Sequence, residues 1–126
     1  MKACQIIASL CMALGVASGA FGAHALRDIV SPSDLAIWDK AVLYQLVHGV
    51  AALLISSAAN LILPLRSRQR VVWLMLTSIV VFSGSLYILV LTGQRWLGMI
   101  TPLGGMGFIV SWSLLAFQLV KAQKDG

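Results

Sequence analysis

Few side chains in this 126-residue sequence are of types that do acid–base, nucleophilic or metal chemistry: two histidines, two cysteines, four aspartates, two tyrosines and a scatter of serines and threonines. All four carboxylates, Asp28, Asp34, Asp39 and Asp125, fall in charged stretches, outside the apolar runs. A small proton-coupled exporter needs a membrane-embedded carboxylate to trade protons for its cargo, and the apolar runs hold none. Ser83 and Ser85 have no neighbouring acid to orient a histidine as a triad requires. No glycine-rich phosphate loop or HExxH-type pattern occurs. Cys4 and Cys11 lie seven residues apart, about 10 Å along a helix, which is too far for a disulfide. They have no partners at metal-ligand spacing and read as small packing residues. A bis-histidine haem on His24 and His48 would need the two rings at one level, and their depths differ. The expectation is therefore a chain that is not an enzyme and carries no metal or cofactor.

The elements that must position these residues follow from the charges. Of the residues, 60% are hydrophobic and only 10% charged. The charges leave four charge-free runs of 24, 25, 24 and 25 residues, each long enough to cross a hydrocarbon core, which takes about 20 residues as helix. An ordinary soluble domain, with about 25% charged residues, is excluded. The sequence reads as an all-α, four-helix transmembrane bundle in a single domain, with spans at about 3–23, 41–63, 71–91 and 102–120. Crossing in turn, the spans place six of the nine Lys and Arg on one side: Lys2, Arg66, Arg68, Arg70, Lys121 and Lys124. The excess of Lys and Arg puts both termini and the Arg66 to Arg70 loop in the cytoplasm, where the loop meets anionic lipid headgroups. The net charge of +5 belongs to that face. With no aromatics between the arginines, nucleic acid is not the expected partner. Lys2 before an apolar stretch, with Ala23-His24-Ala25 after it, has the form of a cleavable signal, but about 21 apolar residues exceed the usual 7–15 of a signal core, so the run is read as a retained span.

Along the first span Cys4, Ala8, Cys11, Gly15, Ser18 and Gly22 recur at steps of four and three, and Gly15 and Gly19 form a GxxxG pair. Such a seam lets helix backbones approach closely, the main source of packing energy in lipid, so this helix is expected to be the most tightly packed. Gly104 and Gly105 give the fourth helix a similar face. These seams serve internal packing or self-association into a homo-oligomer. Ser31-Pro32-Ser33-Asp34 is a helix start, with Ser31 as N-cap, Pro32 at the first position and Asp34 near the positive dipole end. Leu35 and Trp38 then share a face, and a short interfacial helix is expected before the second span. Thr92-Gly93 breaks the third span. Thr101 is expected as N-cap of the fourth, opened by Pro102.

With these depths, His24, Gln45, His48, Ser83, Ser85, Tyr87 and Thr101 gather in the outer half of the bundle. They either hydrogen-bond between helices or line an outward-facing polar pocket for a small ligand or lipid headgroup, with the fourth helix's N-terminus favouring an anion. Polar residues in the inner half (Gln5, Asn60, Thr77, Gln118) make the layer less distinctive.

The segments Gly19-Ala-Phe-Gly-Ala-His24-Ala-Leu26, Tyr44-Gln45 with His48, Phe82-Ser-Gly-Ser-Leu-Tyr87 and Thr101-Pro-Leu-Gly-Gly105 followed by Trp112 occur in this order. Over essentially the whole chain the sequence resembles the family grouped as domain of unknown function 423, the YgdD-like small inner-membrane proteins. Ser111 departs from that pattern, where a glycine is expected. The resemblance implies a four-helix, multi-pass protein of the bacterial inner membrane without an established biochemical activity. A structural or interaction role is the expected function, with ligand or lipid binding, or transport, as the alternative.

Overall fold

The computed structural model describes residues 1–58 and 63–126. Its order is α1 (Lys2–Phe21), a π-helical turn (Gly22–Leu26), α2 (Pro32–Ser57), α3 (Leu65–Thr92), a 3-10 turn (Arg95–Met99) and α4 (Thr101–Asp125). There is no strand among the described residues. Each of the four long helices is long and apolar enough to cross a membrane. Asn60 and the end of the expected second span lie outside the described residues.

α2 and α3 form the central pair, with α1 packed mainly on α2 and α4 mainly on α3. A core of Cys4, Ala8, Ala52, Val71, Val72, Met75 and Phe108 draws on all four helices. The small-residue seam is the buried side of α1 and continues into the π-helical turn: Cys4, Ala8, Gly15 and, on the turn, Gly22 are buried while Cys11 and Ser18 are partly so. A Cβ on Gly15 would lie 2.7 Å from Leu46 Cδ2, and one on Gly19 would lie 3.3 Å from Val42 Cγ1. The expectation that α1 is the most tightly packed helix is corrected. One narrow seam packs mainly on one neighbour, and α1 leaves Ile6, Leu10, Leu14 and Val16 exposed, whereas α3 is packed closely by both α2 and α4.

Local chemistry sets the helix boundaries. Ser31 caps α2, its Oγ accepting from the Asp34 amide at 3.2 Å, with Pro32 in the first turn. α2 then runs unbroken for 26 residues, so the segment before the second span is its first turns and not a separate helix. Trp38 turns into the protein. It is 4% exposed and its Nε1 donates to the Ser18 carbonyl at 2.8 Å. The slot it enters exists because Gly22 has no side chain: a Cβ there would sit 2.7 Å from the indole Cδ1. α3 ends at Gly93, whose φ of 71° is the left-handed conformation that a glycine adopts at no steric cost; its amide closes on Leu89 O at 2.8 Å.

Two further expectations change. The Arg66 to Arg70 segment is the opening of α3 and not a loop. Arg66 and Arg70 are exposed, but Arg68 is buried and donates to the carbonyls of Ser56 and Ala58. The end of α2 presents carbonyls without intrahelical partners, and a guanidinium meets them better than a lipid headgroup does. Thr101 is not the N-cap of α4: Ile100 holds that position, with Thr101 and Pro102 already inside the first turn. The 3-10 turn feeds almost directly into the helix and aims the Thr101 hydroxyl at α3.

Arg95, on the 3-10 turn, holds Asp34 at the start of α2 through two parallel bonds, Nη1 to Oδ1 at 2.8 Å and Nη2 to Oδ2 at 3.0 Å. The guanidinium beside it holds the Asp34 carboxyl below its ordinary pKa. A carboxyl whose folded-state pKa is lowered stabilises the fold above its unfolded value and loses that contribution as pH falls through the folded value. The wild type is therefore expected to be slightly more stable than Asp34→Asn at neutral pH, with the two curves converging below the carboxylate range. Thermal unfolding in detergent across pH checks this; a difference that persists in acid counts against it.

Candidate functional site

The polar layer in the half of the molecule nearest Arg95 is built by α2 and α3, with α1 and α4 supplying partners from the flanks. On α2, Gln45 and His48 sit three residues apart on one face and are 5% and 6% exposed. Gln45 Nε2 donates to the Cys11 carbonyl of α1 at 2.8 Å, and its Oε1 accepts from Tyr87 Oη of α3 at 2.6 Å. One amide thus ties three helices with both of its ends. Tyr87 packs against Trp38 with ring centroids 4.6 Å apart.

His48 is held on both ring nitrogens. Trp112 Nε1 of α4 donates to Nε2 at 3.0 Å, which makes Nε2 an acceptor, so the proton sits on Nδ1 and is donated to the Tyr44 carbonyl at 2.8 Å. These partners select one neutral tautomer. A protonated imidazole has only donors, and would face the indole N–H with another N–H. The ring also stacks on Phe108 at 3.7 Å between centroids.

Ser83 Oγ is buried and donates to the Ala41 carbonyl of α2 at 2.7 Å. Ser85 Oγ and Thr101 Oγ1 share a bond of 2.6 Å between α3 and α4. Together these bonds link α1 to α2, α2 to α3, α3 to α4 and α2 to α4.

His24 does not join this layer. It is exposed on the π-helical turn, between Gly22 and Leu26, which are buried; positions four apart that face inward leave the residue midway between them facing out. Of the glycines, Gly104 lies against α3, where a Cβ would come 2.5 Å from the Phe82 amide nitrogen, whereas at Gly105 it would only reach the Phe82 ring at 3.9 Å. Ser111 is fully buried and bonds to Gly107 O at 2.7 Å within its own helix, so the extra hydroxyl is absorbed by local backbone.

Trp38 and Trp112 are contributors that sequence reasoning did not place in the network, and Arg68 is a buried hydrogen-bonding residue it missed at the opposite end of the bundle. An indole N–H inside an apolar run is itself a signal, because a donor in hydrocarbon must find an acceptor. Arg68, in the first turn of α3, lies eleven residues past the end of α2, and no local spacing signals its bonds there.

A family model described as "Protein of unknown function (DUF423)" matches residues 18–105. The chain belongs to the DUF423 family. Among its relatives, a UPF0382 membrane protein of Staphylococcus haemolyticus is 40% identical over 126 residues, covering 96% of this chain and 98% of the relative. Another, of Staphylococcus epidermidis, is 42% identical over 124 residues with the same coverage. The UPF0382 membrane protein YwdK of Bacillus subtilis is 39% identical over 121 residues, with 96% and 98% covered. No solved structure matches the chain. Family membership and four helices long and apolar enough to cross a bilayer make this DUF423 protein a small multi-pass bacterial membrane protein. The matched stretch holds Gln45, His48, Ser83, Ser85, Tyr87 and Thr101 of the polar layer, and leaves out Cys11, Phe108 and Trp112.

Proposed function

We propose that this protein is a non-catalytic structural or interaction component of the bacterial cytoplasmic membrane, N-in and C-in, whose outer polar layer locks its four helices together. The observation that carries this reading is the bridge from Cys11 O through Gln45 to Tyr87. It spends the layer's best donors and acceptors on neighbouring helices and leaves none directed at a solute. Both nitrogens of His48 are likewise occupied, Nε2 by Trp112 of α4 and Nδ1 by the Tyr44 carbonyl of its own helix. The orientation is supported by the six cationic side chains on the side of the termini against three on the other and by the preference of Lys and Arg for the cytoplasm.

One labelling experiment tests both parts. In a Cys4→Ala, Cys11→Ala background, Thr92→Cys, at the exposed end of α3, is expected to react with an impermeant maleimide added outside intact cells. Ser85→Cys, 6% exposed in the layer, is expected to stay unreacted. Labelling of Ser85→Cys at a comparable rate would mean a hydrated pocket and defeat the packing reading; labelling of Thr92→Cys only after the membrane is opened would reverse the topology.

A further inference from the structure

The face of α2 turned away from α1 carries a second feature. A cleft in two neighbouring parts lies between α2 and α4 over α3. Near the Arg95 end it holds about 280 Å³ beside Ile37, Lys40 and Thr101, with Phe82 as floor. Further in it holds about 360 Å³ along Tyr44, Val47, His48 and Trp112. Lys40, Tyr44 and Val47 follow at steps of four and three on one stripe of α2, and the two parts adjoin where Phe82 of the first stacks on Tyr44 of the second at 4.5 Å. The cleft exists because α4 is seated on α3 through Gly104 and Gly107, which leaves its outer side parted from α2.

Polar groups are arranged along the cleft by depth. Lys40 stands where α2 leaves the apolar run, and Tyr44 is four residues, or about 6 Å, deeper. Among the described residues Lys40 has no ion-pair partner and Tyr44 Oη no hydrogen bond. Asp39 is about 100° round the helix from Lys40 and does not line the cleft. Below Tyr44 the walls are apolar and aromatic. A cation at headgroup level, a hydroxyl donor beneath it and an apolar trough below that match one molecule in profile.

The geometry points to a binding site for an anionic glycerophospholipid from the leaflet on the Lys40 side, with its phosphate at Lys40, an ester carbonyl at the Tyr44 hydroxyl and one acyl chain along Val47 and Trp112. A second copy of the chain fits less well, because a membrane helix satisfies its own backbone and offers Tyr44 no acceptor. The site uses none of the bonds of the polar layer, so it stands whether or not the labelling experiment above succeeds.

Native mass spectrometry of the detergent-purified protein, titrated with phosphatidylglycerol or phosphatidylcholine, tests it. The wild type is expected to bind a first phosphatidylglycerol more tightly than later ones. Lys40→Gln is expected to weaken that first binding about fivefold, the scale of one cation near a membrane surface, and to erase the preference over phosphatidylcholine. Val47→Trp and Leu43→Trp, at positions 45% and 57% exposed where bulk is tolerated, are expected to remove the first binding of both lipids by filling the trough. Arg66→Gln with Arg70→Gln, on the opposite face, is expected to affect only the later, weaker lipids. The site is overturned if first binding survives Lys40→Gln and both tryptophan variants, or if the Arg66 and Arg70 change alone removes it. Lipid-free dimers that Val47→Trp abolishes would also overturn it, by giving the cleft to a second copy.

Discussion

Gly104→Ala is expected to cost more stability than any other glycine-to-alanine change tested against it, because the new methyl group has no direction in which to go. A Cβ at Gly104 would stand 2.5 Å from the amide nitrogen, 2.6 Å from the Cβ and 2.7 Å from the Cα of Phe82. Two of these atoms are main chain in the middle of α3, so relief requires the two helices to part along their length and not the turning of a side chain. Overpacking a close contact costs about 1–3 kcal/mol, and separation of the helices adds the loss of van der Waals contact that in lipid stands in for hydrophobic drive. Two controls make the result specific. Gly105→Ala meets only the Phe82 ring at 3.9 Å, an ordinary contact, and Gly84→Ala meets nothing within 4 Å. Both are expected to be neutral, or to gain up to about 1 kcal/mol from replacing a flexible glycine in a helix. The fraction of protein staying monodisperse after heating in detergent ranks the three. If Gly104→Ala melts with Gly105→Ala, the α3–α4 contact is not as close as described.

That contrast between Gly104 and Gly105 also shows where sequence reading stops. Both are small residues on a membrane helix, and composition assigns both to packing. Only the partner distinguishes them, and the partner is Phe82, more than twenty positions earlier. What could be read locally was the general placing of the elements: each of the four long helices draws most of its residues from one charge-free run, and Ser31-Pro32 starts α2. The buried side of α1 at Cys4, Ala8 and Gly15, continued at Gly22 of the π-helical turn, is visible in spacing alone. Features decided by a distant partner were not legible. Trp38 looks interfacial by its neighbours, and turns inward because Gly22 leaves a slot for the indole. Arg68 looks like one of three loop cations, and is buried because the carbonyls at the end of α2 face it. The seam on α1 told how closely a neighbour could approach and not how many neighbours there would be. For the polar layer, depth alone gathered the right elements at one level, but it also admitted His24, because a helical wheel ending at Gly22 does not show which way a π-helical turn will face.

Gln45→Leu and Tyr87→Phe are expected each to destabilise the protein by about 1–2 kcal/mol, and together by clearly less than the sum. The reason lies in what each change leaves behind. Without the glutamine, Tyr87 Oη loses the acceptor it holds at 2.6 Å, and a hydroxyl buried without a partner costs about 1–3 kcal/mol. Without the phenol, Gln45 Oε1 is stranded in the same way while its Nε2 keeps the Cys11 carbonyl. The double variant strands neither atom of the pair, so the two penalties are not paid together, and the cycle should show a coupling of about 1 kcal/mol, within the range found for interhelical hydrogen bonds in membranes. Leucine and phenylalanine keep most of the buried volume, so a cavity does not imitate the effect. The sign of the coupling separates a packed layer from a hydrated pocket: water in a pocket would satisfy whichever group was left alone, making both single changes nearly silent and the pair additive. Unfolding of the four proteins by a denaturing detergent, followed through helicity, measures all corners of the cycle. Additivity within error would remove the bridge between α1, α2 and α3 as the element that holds the half nearest Arg95 together, and with it the strongest physical reason for reading this layer as structure.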